Sequence, residues 1–146
     1  MAEAAQPALI LLPSIILGAI IGFYEIIIIH RDVTVKLHRF SHGIHALVLS
    51  ILFVFASMNV DFVFGLIPAL KSIPIIGMPL VFRLIIGLLA AIKIHGVSRA
   101  IKSSGGGGGG PGLGETWIHS ILIGGLMIAA PYVYPFIAPI LPKWMK

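Results

Sequence analysis

Four histidines stand at the same end of four apolar runs, and imidazole chemistry is what this chain offers most plainly. His30 closes Ile26-Ile27-Ile28-Ile29-His30, and His45 opens the next run in Ile44-His45-Ala46-Leu47. His95 closes Lys93-Ile94-His95, and His119 opens Ile118-His119-Ser120-Ile121. Runs that alternate up and down bring one imidazole from each to a common face, level within about one helical turn, roughly 5 Å. Neutral imidazole ligates zinc, copper, nickel or haem iron, and bundle cores commonly host such sites. It also exchanges protons near neutral pH, so the same group suits a pH-responsive gate. The plainest use is a hydrogen bond to a headgroup or a backbone carbonyl at a membrane face. His30, His45, His95 and His119 are thus the candidate metal set, with the cofactor left open.

Charged residues inside apolar runs are costly and usually face a bundle interior, which makes each one a candidate for function. Glu25 lies five residues before His30, and Lys93 two residues before His95, so a Glu25–Lys93 ion pair beneath the histidines is expected. Toward the other end, Asp61 and Arg83 form a second expected pair. Helix positioning and snorkelling account for such charges, and a proton or ion relay is the functional alternative. Glu25, Lys93, Asp61 and Arg83 are the relay candidates.

Other chemistries find little footing. No Gly-x-Ser-x-Gly elbow occurs, and Ser14, Ser50 and Ser57 sit in apolar runs where hydroxyls normally bond back to the helix. His38, His42 and His45 share a helical face at i, i+4 and i+7. Membrane di-iron desaturases need several such histidine boxes, and with one box that assignment is rejected. The chain has no cysteine, which excludes thiolate metal sites and disulfides. The tract from Ser103 through six glycines to Pro111-Gly112-Leu113-Gly114 lacks the lysine and hydroxyl of a phosphate-binding loop and reads as a flexible linker.

The elements that must hold these groups are set by hydropathy. The chain has 146 residues, 58% of them hydrophobic and 10% charged, with a mean hydropathy of +1.08. A spanning helix needs roughly 20 mostly apolar residues. Four windows qualify, at about residues 8–29, 43–60, 75–94 and 117–141. Backbone polar groups in lipid must be satisfied within the segment, so the windows should be helices, and the alternation of a barrel is absent. The expected fold is all-α: one membrane domain over residues 1–146, a bundle of four transmembrane helices. Pro131, Pro135, Pro139 and Pro142 should kink or unwind the last helix after Ala130. Between Phe62 and Pro79, prolines and glycines interrupt an apolar stretch that should lie at the interface or re-enter it.

Basic residues then orient the bundle. Arg31, Lys36 and Arg39, with Lys93, Arg99 and Lys102, flank one side; Lys71, Arg83, Lys143 and Lys146 fall on the other. That bias places both basic loops and the linker 103–114 in the cytoplasm and both termini outside the cell membrane. Net charge of +5 is explained by these loops, so nucleic acid is not an expected partner. The expected partners are the bilayer, a larger membrane complex, and a second copy docking through Gly18 and Gly22, a GxxxG pair that lets helices approach closely either within the chain or between copies. Overlaying residues 19–30 on 84–95 matches six of twelve positions, and Ile44-His45 overlays Ile118-His119. An internal repeat of two helices plus two is the corresponding expectation.

Four spans with a single embedded glutamate in the first resemble the architecture of small multidrug-resistance exporters. Glu25 sits near the end of its helix, and no motif of that family surrounds it. The functional expectation is a non-enzymatic channel, a transporter-like protein or an accessory subunit of a membrane complex. The alternative is a haem- or metal-binding redox protein built on the histidine quartet.

Overall fold

The computed structural model describes the backbone of residues 9–32, 36–103 and 117–146, with side chains at 9–27, 43–96 and 117–146. The linker 104–114, the N-terminal eight residues and the side chains of His30, His38 and His42 lie outside the described residues. Every element is helical: α1 (Leu11–Asp32), α2 (Lys36–Met58), α3 (Val60–Leu66), α4 (Pro68–Ser72), α5 (Pro79–Ser103) and α6 (Trp117–Ile137), then 3-10 turns at Ala138–Ile140 and Lys143–Met145. No strand occurs among the described residues.

Two of these helices, over Pro79–Gly96 and Trp117–Ile140, are long and apolar enough to cross a membrane, the first being roughly 27 Å long at 1.5 Å per residue. A third crossing results if Gly43–Met58 and Val60–Leu66 count as one span, but the two are bent by 94°. In α1, a helix of 22 residues, the stretch whose side chains are described is the apolar Leu11–Ile27. Of the four windows read from hydropathy, two are candidate spans among the described residues, or three with the bent pair. Apolar length overestimates a span wherever a corner interrupts the helix.

That corner is made by one amide. Asn59 is buried, and its Oδ1 accepts from the Ile10 backbone N–H at 2.7 Å. Its Nδ2 donates to the Ile10 carbonyl at 3.1 Å, the Ser14 hydroxyl at 3.1 Å and the Phe55 carbonyl at 3.0 Å. The start of α1 is thereby clamped to the α2–α3 junction, and the junction's own polar groups are satisfied. Edge-to-face packing of Phe55 on Phe62 (5.8 Å) and tilted packing of Phe64 on Phe82 (4.9 Å) hold α3 down against α2 and α5. Replacing Asn59 with alanine removes the clamp and strands the Ile10 N–H. A loss of about 3 kcal/mol is expected, measured as a lower unfolding midpoint of the detergent-solubilised chain.

The helices pair as α1 with α2 and α5 with α6, and α2 also packs on α5 and α6. Glycines set both crossings. A Cβ added at Gly18 would lie 2.5 Å from Ile51 Cα, and one at Gly22 would lie 2.9 Å from Leu47 Cα. The closeness that the GxxxG pair provides is thus used within the chain, against α2. In the other pair, a Cβ at Gly124 would meet the Gly87 carbonyl oxygen at 2.4 Å. Ile21, Val54, Ala90, Ile123 and Met127 fill the centre of the bundle between the two pairs.

The last helix does not unwind after Ala130. It continues through Pro131 and Pro135 to Ile137 and tightens into a 3-10 turn only at Ala138. Prolines four residues apart fall on one face, so the missing donors leave the hydrogen bonds of the other faces in place.

Candidate functional site

Glu25 is the focus of the interior. Ser14, Gly18, Ile21, Gly22 and Glu25 recur at three- and four-residue steps, which places all five on the face of α1 that meets α2. The glycines bring the backbones together and so carry Glu25 inside, where it is 3% exposed. On α2, Leu47, Ser50, Val54 and Ser57 follow the same spacing, and the fully buried Ser50 donates its hydroxyl to Glu25 Oε2 at 3.4 Å. A carboxyl inside an apolar bundle is expensive unless its protonation or its partners compensate, so this one is placed for a reason.

Three members of the histidine quartet, His45, His95 and His119, have described side chains. His95 is 9% exposed, and its ring stacks on Trp117 with centroids 3.8 Å apart and planes 16° from parallel. Its Nδ1 has no hydrogen-bond partner among the described residues. His119 is half-buried and lies beside Tyr24 of α1, ring centroids 6.2 Å apart. His45 is exposed. Among the described residues no group of three His, Asp or Glu side chains is placed to hold a metal ion. Near-equal depth in a bundle sets height but not azimuth: Trp117 and His119, two residues apart, address α5 and α1 respectively.

The same geometry undoes the expected Glu25–Lys93 pair. Residues two apart on a helix point about 200° away from each other. With His95 turned inward, Lys93 is turned outward, where it is exposed and forms no ion pair among the described residues. Glu25 is held by α2 instead.

A second polar layer lies at the other end of the bundle. Arg83 is half-buried; its Nε donates to the Ser57 carbonyl at 3.0 Å and its Nη1 to the Tyr132 hydroxyl at 3.2 Å. The guanidinium carbon also sits 5.2 Å from the Tyr132 ring centroid. Asp61 is exposed and shares a cavity with Arg83, but the two do not form the expected ion pair among the described residues. Ser57 and Ser120 are fully buried, and neither hydroxyl has a partner among the described residues.

The interior therefore reads as two polar layers separated by an apolar one. Glu25, Ser50, His95, His119 and Ser120 belong to the first; Ser14, Ser57, Asn59, Asp61 and Arg83 belong to the second. Ser50 and Ser57 are seven residues apart on α2, about 10 Å, with Val54 between them in the apolar core. Sequence reasoning assigned the serines to back-bonding. Ser14 does bond back, to the Ile10 carbonyl, but Ser50 turns to Glu25. The signal available was the i, i+7 spacing of Ser50 and Ser57 opposite a glycine pair and a glutamate. A scan of protein-family models and searches of curated proteins and solved structures return no match to this chain.

Proposed function

We propose that this chain is a small multi-pass membrane carrier for protons, or for a small ion exchanged against protons, and that it catalyses no reaction of its own. The observation that carries the reading is Glu25, a carboxyl 3% exposed within an apolar helix bundle and in contact with a buried hydroxyl. Gaining or losing one proton switches such a group between a form that suits the interior and one that does not. Two imidazoles, His95 and His119, sit in the same polar layer and suit delivery of that proton from one side. The apolar layer of Val54, Ile123 and Met127 closes the way to the second polar layer. That arrangement favours a carrier, which opens to one side at a time, over a permanently open channel.

The proposed fold is a bundle of four spans, with α1 and α2 joining α5 and α6, α3 turning off at the outer face, both termini outside and the linker 103–114 inside. An internal repeat of two helix pairs accompanies it. Gly22 packs on Ser50 in the first pair, and Gly87 packs on Gly124 in the second. The sequence overlay matches Gly22 to Gly87 and, at the offset of Ile44-His45 on Ile118-His119, Ser50 to Gly124. Both crossings thus use matched positions, as a repeat would require.

Topology is tested by single cysteines at Ala4, Ser104 and Lys146 and an impermeant thiol reagent on intact cells. Ala4 and Lys146 should label from outside, and Ser104 only after permeabilisation. Labelling of Ser104 together with Ala4 would remove the four-span arrangement. Transport is tested by proton entry into vesicles containing the purified chain, with Glu25→Gln as the matched variant.

A further inference from the structure

The cavity at the α2–α3 corner carries chemistry that the proposed carrier does not use. It measures about 140 Å³, large beside the roughly 30 Å³ of a liquid water, and is lined by Leu9, Met58, Phe62, Asn59, Asp61 and Arg83, among others. Its two charged residues have opposite signs, yet they do not pair with each other among the described residues. Arg83 spends two of its five N–H donors on Ser57 and Tyr132, leaving three. Asp61 is exposed at the rim, with both carboxylate oxygens available as acceptors. Asn59 contributes nothing further, since its oxygen and its amino group are taken by Ile10, Ser14 and Phe55. A ligand for this space needs an anionic group for a planar, multi-donor guanidinium and a cationic group for a carboxylate. A short linker must join them, compact enough to lie between apolar walls.

We propose that the cavity binds a phosphate–ammonium zwitterion, the chemistry of phosphoethanolamine, with its phosphate on Arg83 and its ammonium on Asp61. Guanidinium donors match phosphate oxygens in geometry and charge. Two sources share this chemistry, the headgroup of an ethanolamine phospholipid and the free zwitterion. The corner stands at the end of α2, where α3 turns off by 94°. On the membrane reading, on which the lipid source rests, that is the depth of the headgroups.

The test titrates short-chain lipids into the full-length chain in detergent and follows binding by native mass spectrometry. Phosphatidylethanolamine should bind, and phosphatidylglycerol, which keeps the phosphate but lacks the ammonium, should bind roughly tenfold more weakly or worse. Asp61→Asn should remove that preference and leave phosphatidylglycerol binding unchanged. Asp61 makes no hydrogen bond among the described residues, so this variant stays interpretable even if Arg83→Gln, which should weaken both lipids, fails to fold. Free O-phosphoethanolamine that competes at millimolar concentration assigns the site to the soluble zwitterion, and its failure to compete assigns it to the lipid. Equal binding of the two lipids, or a preference that survives Asp61→Asn, overturns the proposal. A chain that binds O-phosphoethanolamine yet stays soluble without detergent would instead overturn the membrane reading and leave the site standing.

Discussion

Replacing Gly124 with alanine should destabilise the protein, while the same change at the next residue, Gly125, should stabilise it. The two glycines share a helix and a depth, so helix propensity and surroundings in the bilayer or detergent are nearly matched. They differ in what a methyl group would meet. At Gly124 it would lie 2.4 Å from the Gly87 carbonyl oxygen and 3.2 Å from the Gly87 carbonyl carbon. Both are backbone atoms and cannot turn aside as a side chain would. The α5–α6 crossing must open, loosening the contacts of Ala91 and Ile128, at a cost of about 2–3 kcal/mol. At Gly125 nothing lies within 4 Å, and alanine then gains about 0.5–1 kcal/mol from lower backbone entropy in the unfolded chain. Unfolding midpoints of the two variants in the same detergent should fall on opposite sides of the wild type. Midpoints that move together would show that this crossing is not the tight one.

Much of the helical layout was legible in the chain itself. Hydropathy located the apolar helices because burial from water dominates every other local preference at this composition. Gly18 and Gly22 announced a close approach, since spacing by four places both on one face. What the pattern could not supply was azimuth and partner. Lys93 and His95 differ by two residues and so face apart, which separates Lys93 from Glu25. The 94° corner depends on Asn59 reaching Ile10, 49 positions away in the chain, and no local signal marks an amide as a clamp. Pro131 and Pro135 were expected to kink or unwind α6, and the helix stays continuous past both because tertiary contacts and the remaining hydrogen bonds carry it on. The stack of His95 on Trp117 was equally hidden, because it needs the ends of two helices that a long linker separates.

Loss of the exchangeable proton at position 25 should abolish transport without disturbing the fold. Glutamine has the shape of glutamate, and its carbonyl oxygen can still accept from the Ser50 hydroxyl that now donates to Glu25 at 3.4 Å. It fills the same buried space between α1 and α2 and carries no charge into the apolar interior, so Glu25→Gln should unfold no more readily than the wild type. It cannot take up or release a proton. Glu25→Asp keeps the exchangeable proton but shortens the reach to Ser50, and an intermediate rate is expected.

The most direct test is the initial rate of acidification inside vesicles that trap a pH-sensitive dye, after an imposed pH step with a potassium–valinomycin clamp. Wild-type protein should admit protons severalfold faster than empty vesicles, and Glu25→Gln, reconstituted at the same density, should return the rate to that of empty vesicles. A wild-type rate no faster than empty vesicles, or a Glu25→Gln rate equal to the wild type, would contradict the assignment of Glu25 as the group that carries the proton.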